Sequence, residues 1–401
     1  MRKKCKSVLG HPESGGLEVQ MEKYVLLTAS VYRHIKNFHL PYINAFQEKG
    51  WIVHIACADA PERIPGAERV FSLPFTKRMA APQNFIAVRK LRGLIRRYRY
   101  DLIVTHTSLA AFFTRLAVKG MGGRPRVVNM VHGYLFDERT PALKRAVLTG
   151  AERFTAPETD VILTMNQWDY ETARAMCLGR EIYSVPGIGV DFSRLDDVTP
   201  AQGWTLRQEL GIPLDAFILI YGAEFSARKD QGTLLRAMAL LPSCAYLLLP
   251  GDGRLLDACK ALARELGVEG RVCFPGQIVD MAPWYSAANA AVSSSRSEGL
   301  PFNIMEAMYL RLPVVASRVK GHVDLLYEGE SGLLFAPGDE HACARQIMRL
   351  VKDPALGQAL GLRGCENAEQ YALEHVLPKV MAYYEGEKPV TVSLAAAPVK
   401  R

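Results

Sequence analysis

No apolar run in this 401-residue chain approaches the roughly 18 residues that a membrane-crossing helix requires. The first twenty residues, "MRKKCKSVLGHPESGGLEVQ", are basic but lack the apolar centre of a signal peptide, so they are expected to be a mobile extension. The closing "EKPVTVSLAAAPVKR" is expected to be a tail. The eight cysteines form no C-x-x-C pair and no zinc spacing, which predicts reduced thiols in a cytoplasmic setting. There is no G-x-x-x-x-G-K-[ST], which argues against an ATPase of the P-loop type. D-x-D is also absent, so no divalent metal is inferred.

What is present is apolar and periodic. Nearly half the residues are hydrophobic (49%), enough for two domains each to bury a core. Short apolar runs recur with helical stretches between them. The first series is "YVLLTAS" (24–30), "WIVHIACA" (51–58), "DLIVTH" (101–106), "RVVNMVH" (126–132) and "DVILTMN" (160–166). The second is "AFILIYGA" (216–223), "AYLLLPGDG" (245–253), "RVCFPG" (271–276), "NAAVSSS" (289–295) and "PVVAS" (313–317). Continuous apolar character over so few residues suits parallel strands covered on both faces. Helices are predicted over 231–241, 254–266 and 303–311. Strand–helix alternation predicts an α/β protein of two doubly wound Rossmann-like domains facing a cleft. The Pro-, Gly- and Asp-rich "VPGIGVDFSRLDDVTPAQG" (185–203) reads as their connection. The boundaries expected are an extension over 1–20, a first domain over 21–190 and a second over 191–375. Residues 376–401 would hold a helix returning to the first domain, plus the tail. Ligands of such sheets sit beyond the carboxyl ends of the strands.

One stretch there concentrates chemistry, "SRSEGLPFNIMEAMYLRLPVVAS" (295–317). A strand ends in small polar residues, Gly299 offers conformational freedom, and Pro301 suits a helix start. Glu298 then falls in the loop and Glu306 in the first turns of the helix. Both carboxylates could accept hydrogen bonds from sugar hydroxyls, and the helix N-terminus could receive an anion. Spacing alone favours the plainer reading, in which Glu298 caps a turn and Glu306 merely complements the helix dipole, because two glutamates eight apart are common by chance.

The wider block decides between these readings. "FPGQIVDMAPWYSAANAAVSSSRSEGLPFNIMEAMYLRLPVVASRVKGHVDLLYEGESGLLF" (274–335) resembles the donor-binding half of the group 1 (family 4) retaining glycosyltransferases of the GT-B fold. "YGAEFSARKDQGTLLRAMALL" (221–241) is similar to that family's phosphate-binding segment, and "GDG" (251–253) and "GIGVD" (187–191) to its short motifs. "VHGYLF" (131–136) and "TDVILTMNQWDYETA" (159–173) resemble the subset that builds bacterial surface polysaccharides. The resemblance implies that Glu306 holds the nucleotide ribose and that Glu298 lies near the donor sugar. It implies donor contacts at Gly222, Gly251, Gly276, Gly299, Phe302, Asn303 and Ile304. Arg228 and Lys229 would neutralise the leaving diphosphate, since fixed cations there lower the barrier to its departure. His132, at a strand end, would contact the donor sugar or steady developing charge, or else serve as a structural histidine in a turn. Where many relatives have a glycine-rich first loop, this chain has "SVYRHIKNFHLPY" (30–42), so His34 and Asn37 would approach the acceptor or the diphosphate, or would be plain loop residues. A second departure is "Gly222-Ala223-Glu224", where many relatives place an Arg.

The activity implied is transfer of a hexose or N-acetylhexosamine from a nucleotide sugar, a UDP-sugar, to a saccharide acceptor on a lipid diphosphate, with no cofactor. An epimerase or phosphorylase of the same fold, or a non-catalytic nucleotide-sugar-binding subunit, are the alternatives. Charge bears on the partner. Residues 1–190 carry 28 Lys+Arg against 16 Asp+Glu, whereas residues 191–401 carry 21 against 25. No nucleic-acid motif accompanies the basic excess, so nucleic acid is not expected and a membrane surface is. "VRKLRGLIRRYRYD" (88–101) places Val88, Leu91, Ile95 and Tyr98 at helical spacing among basic residues. It reads either as a lipid-facing helix or as a helix packed on the sheet with a solvated basic face.

Overall fold

A computed structural model of the chain describes residues 22–58, 61–76 and 78–387. The expected N-terminal extension and residues 388–401 of the tail lie outside the described residues. Two compact units emerge. One ends at Thr105 and resumes over Leu109–Val127, and the other takes His106–Ser108 and the chain from Val128 onward.

In the first unit the strands are β1 (Lys23–Val31), β2 (Trp51–Ala58), β3 (Arg69–Ser72) and β4 (Leu102–Thr105), in the order β3-β2-β1-β4 and parallel. β1, β2 and β4 form because their runs are apolar on both faces, as a covered parallel sheet demands. The helix Pro82–Tyr98 starts earlier than the sequence pattern suggested, with Pro82 in its first turn, and ends where Arg99 turns left-handed. Ala87, Leu91 and Ile95 enter the core with Leu26, Ile103 and Phe113. Leu91 and Ile95 of the predicted stripe are therefore spent on the core, Phe85 and Ile86 at the start of the helix stay half-exposed, and Arg89, Lys90, Arg96 and Arg97 are left outside. The packed alternative is the one observed.

β5 (Arg126–Val131) begins at the edge of the first unit and continues into the second, where β6 (Val161–Thr164) and β7 (Glu181–Ser184) run parallel to it in the order β5-β6-β7. A second sheet holds β8 (Phe217–Ile220), β9 (Ala245–Leu248), β10 (Val272–Cys273), β11 (Ala290–Ser293), β12 (Val314–Ser317) and β13 (Leu333–Phe335). Its order is β10-β9-β8-β11-β12-β13, all parallel. Leu219, Leu247, Val292 and Val315 from four of these strands share one core with Leu235 and Ile347 from the covering helices. The strand order reverses between β8 and β11, which opens a crevice at their carboxyl ends. Helices Gln231–Ala239, Leu256–Glu265 and Phe302–Tyr309 match the predicted positions closely. The helix Leu373–Glu385 lies against the β7 region: Tyr383 packs on Tyr183 with ring centroids 4.6 Å apart, and the Leu373 N–H donates to Val190 O.

β3, β7 and β13 were not predicted. β3 and β7 are short and only partly buried, so neither carries a continuous apolar run, and β13 has three residues. All seven described cysteines are free thiols. No helix among the described residues is long and apolar enough to cross a membrane.

Candidate active site at the switch point of the second sheet

The loops that follow β8 and β11 meet at the crevice. Ser294 Oγ donates to the carbonyls of Lys229 (3.1 Å) and Asp230 (2.8 Å), and the Arg296 N–H donates to Arg228 O. Asp230 adopts a left-handed turn, with its carboxylate accepting from Arg296 Nε at 2.9 Å. These bonds fix the two loops against each other and set three charges side by side. Arg228 Nη1 donates to Glu298 Oε2 at 2.8 Å, and Lys229 Nζ donates to Glu298 Oε1 at 2.6 Å. Ser295 Oγ donates to the same Oε1 and lies 2.7 Å from the hydroxyl of buried Tyr221. Glu298 is only 6% exposed. Burial alone would raise its pKa, but Lys229 and Arg228 outweigh that and hold it at about 2. The carboxylate is therefore ionised throughout the neutral range. Beneath it, buried His322 is bonded between Ser317 O (2.7 Å) and Ser293 Oγ (3.1 Å), and burial lowers its pKa.

Pro301 caps the helix that carries the second glutamate, and the helix starts at Phe302. The N-terminal turn that begins at Phe302 is the partial positive end of the helix dipole. Ile304 turns its side chain into the core, while Asn303 Nδ2 donates to Gly222 O at 3.2 Å. Glu306, also 6% exposed, is already engaged: Arg194 Nη2 donates to one oxygen and Tyr285 Oη to the other at 2.8 Å. Neither partner was foreseen. Arg194 sits on a short 3-10 turn (Ser193–Leu195) inside the predicted connection, where an exposed arginine carries no periodic signal.

Gly299 has a role other than the expected one. It takes no left-handed backbone conformation; its place is dictated by close approach. A Cβ there would stand 2.0 Å from the carbonyl oxygen of His132. Asn166 Nδ2 donates to the Gly299 carbonyl at 3.2 Å and to Asp169 Oδ2 at 2.7 Å. Buried Asp169 pairs with buried Lys320 at 2.9 Å, and Lys320 Nζ also donates to Tyr134 O at 3.0 Å. Burial raises the Asp169 pKa, and Lys320 and Asn166 oppose the rise. Lys320 thus ties the loop after β12 to the loop after β5, and both back the Glu298–Gly299 turn. No sequence pattern announced this pair. His132 follows β5 as predicted, and its Nε2 lies 3.5 Å from His106 Nδ1.

Of the remaining glycines, Gly251 sits where a Cβ would come 2.1 Å from Ala223 O, and its N–H donates to Gly276 O at 2.7 Å. Gly222, Gly251 and Gly276 therefore belong to the loops after β8, β9 and β10, at one end of the second sheet. His34 and Asn37 lie on the helix Tyr32–Phe38 of the first unit, with His34 half-buried and 3.3 Å from His39, and Asn37 exposed. Chemically, the site offers an ionised carboxylate flanked by two cations, a second buried carboxylate, and a helix N-terminus between them. It is suited to a ligand with hydroxyls and a negative charge.

Known proteins share the family pattern and the fold of this chain. The family model described as glycosyl transferases group 1 matches residues 202–368, and that of glycosyltransferase family 4 matches residues 42–194. EpsD of Bacillus subtilis (strain 168), named as a candidate glycosyltransferase, is 33% identical over 370 residues, covering 91% of this chain and 97% of EpsD. The UDP-Gal:alpha-D-GlcNAc-diphosphoundecaprenol alpha-1,3-galactosyltransferase of Escherichia coli is 24% identical over 315 residues, 75% of this chain and 78% of that one. The Anabaena HepE structure in complex with UDP and glucose superposes with a TM-score of 0.74 at 20% identity, covering 91% of this chain and all of that one. The fold is that of two parallel-sheet, Rossmann-like α/β domains of the GT-B class. With both family models matched and a relative covered nearly end to end, the chain belongs to the group 1 glycosyltransferases.

Proposed function

We propose that this glycosyltransferase is a retaining enzyme that moves a hexose or N-acetylhexosamine from a UDP-sugar to a saccharide carried on a lipid diphosphate, in the synthesis of a bacterial surface polysaccharide. The observation that carries the proposal is the Glu298–Arg228–Lys229 cluster at the switch point, beside the N-terminus of the Glu306 helix. The Escherichia coli relative, a UDP-Gal:alpha-D-GlcNAc-diphosphoundecaprenol galactosyltransferase, and the HepE complex with UDP and glucose favour a UDP-linked donor, and the former also favours a lipid-diphosphate acceptor.

In this reading the ribose hydroxyls take over Glu306 from Arg194, and the diphosphate lies at the helix N-terminus. The bond between the sugar's anomeric carbon and the phosphate oxygen breaks, and its electron pair leaves with UDP. Arg228 and Lys229 meet that charge without a divalent metal, and Glu298 orients the sugar through its hydroxyls. The acceptor oxygen bonds to the anomeric carbon from the face that UDP vacates. Its proton passes to the departing phosphate oxygen, so the configuration is kept.

The test is a panel of UDP-sugars incubated with purified protein, with and without membrane extract, following UDP release and the anomeric configuration of the product. UDP release with an α-linked product from an α-linked donor is expected. A free, altered nucleotide sugar would assign an epimerase instead. UDP binding without turnover of any donor would leave a binding subunit.

A further inference from the structure

Each unit contains a pair of histidines whose ring nitrogens stand unusually close. In the first unit His34 lies on the helix Tyr32–Phe38 and His39 caps its C-terminus, and their Nε2 atoms are 3.3 Å apart. In the second unit His106 Nδ1 and His132 Nε2 are 3.5 Å apart. The ring centroids of the two pairs are 5.1 and 5.7 Å apart, so in each pair the rings turn nitrogen-bearing edges, not faces, toward each other. Both nitrogen separations are longer than an ordinary N–H hydrogen bond of about 2.7–3.2 Å. They match another standard distance. Two imidazole nitrogens bound at about 2.0–2.1 Å to one tetrahedral zinc ion stand about 3.3 Å from each other. The rings are also held in place. His39 is fully buried, its backbone N–H donates to Ile35 O at 2.8 Å, and its ring lies against Tyr42, while the His34 ring lies against Phe38. His106 is buried, and the backbone of His132 is fixed by its close approach to Gly299. Ligands locked by packing bind an ion without first being ordered, which is the usual requirement of a metal site.

We propose that the pairs His34–His39 and His106–His132 are ligands for divalent transition-metal ions of the zinc class. Imidazole suits zinc, copper and nickel, whereas magnesium and calcium take oxygen ligands. The missing D-x-D concerns a hard ion held by carboxylates at a diphosphate, and it is no guide to sites built of imidazoles. The ion stands outside the transfer step proposed above, in which Arg228 and Lys229 meet the leaving charge. An ion on His132 instead holds the His132–Gly133 turn, against which Gly299 packs, and so steadies the turn that carries Glu298.

The experiment is titration of the full chain, first freed of metal with a chelator, with zinc by calorimetry and with cobalt by visible absorption. Zinc should bind in the micromolar range or tighter, cobalt should give the strong visible bands of tetrahedral coordination, and millimolar magnesium should displace neither. H34A and H132A change half-buried positions. Each should weaken zinc binding by about tenfold or more, since losing even a group that only supports a ligand costs about 10–100-fold. Zinc should raise the wild-type Tm, and the rise should shrink in both variants. Wild-type zinc affinity in both H34A and H132A would overturn the proposal, as would no zinc binding to the wild type. A loss confined to one variant would overturn it for the other pair. The cobalt spectrum of the wild type decides the matter even if a variant folds poorly: octahedral bands alone would also overturn it. All of these are read without donor or turnover. Their failure would leave the glycosyltransferase reading standing, and zinc binding with no UDP release from any donor would count against the catalytic reading alone.

Discussion

Glu298 and Glu306 are equally buried, but they are held in different ways. Glu298 receives two cations from a loop that is itself pinned by Ser294 and Arg296, and Lys229 is nearly as buried as the carboxylate it binds. Glu306 is met by Tyr285 from the same sheet's helices and by Arg194, whose side chain is 51% exposed on a short turn. The first carboxylate is built into its surroundings, and the second is covered by a partner that solvent can draw away. Burial alone would not separate a carboxylate placed to keep its charge from one placed to exchange partners. The lodging of the partner does.

The largest effect on turnover should follow from breaking the built-in side. Glu298→Gln removes the charge that Lys229 and Arg228 were assembled around. Turnover should fall by about a hundredfold or more, and stability by about 2 kcal/mol, measured by steady-state UDP release and by urea unfolding. A variant with near-normal turnover would take Glu298 out of the chemistry. The same comparison has a pH signature. The ordinary pKa of 4.5 falls to about 2 in the folded protein, because the two cations outweigh burial. The unfolded chain therefore binds the proton first as pH falls. The stabilisation from this carboxylate is complete above about pH 4.5 and is lost as pH falls toward 2. The stability gap between wild type and Glu298→Gln should narrow across that window and stay flat at neutral pH.

The smallest effect should come from the exchangeable side. Arg194→Ala removes a half-exposed ion pair worth about 0–1 kcal/mol. UDP affinity measured by calorimetry should be unchanged or up to about threefold tighter if, as proposed, Glu306 exchanges Arg194 for the nucleotide ribose. A loss of affinity beyond tenfold would instead place Arg194 on the nucleotide.

The sequence made the sheets legible wherever strands are buried on both faces. β2 was placed to the residue from "WIVHIACA", and β8, β9, β11 and β12 fell inside the predicted runs. β3 and β7 escaped because they end their strand orders, where partial exposure removes the apolar signal. The carboxylates and the Arg228-Lys229 pair were singled out by the family resemblance of the blocks that carry them, not by their spacing. The partners that position them were not. Arg194 reaches Glu306 across 112 positions, and Lys320 reaches Asp169 across 151. A pattern read within a window of a few turns carries no information about such pairs. Gly299 shows a related gap: its type was noticed, but the reason for it, a carbonyl from a distant loop, exists only in three dimensions.

The Lys320 contact with the loop after β5 also has a consequence in time. Lys320 meets Tyr134 O across 186 positions, whereas most neighbouring strands in the second sheet are joined by a single helix. Closing so long a stretch of chain costs entropy before any contact rewards it. The strand–helix pairs are therefore expected to assemble first, with the Lys320–Asp169 pair closing on a nearly finished molecule. Lys320→Met should lower stability by about 3–5 kcal/mol, because it strands a buried carboxylate. In a chevron experiment that loss should fall almost wholly on the unfolding rate, with a φ-value near zero. A slowed folding limb would mean that the pair belongs to the nucleus. A φ-value near zero would make the lysine that backs the Glu298–Gly299 turn a late clasp, one that sets the lifetime of the folded state more than the speed of reaching it.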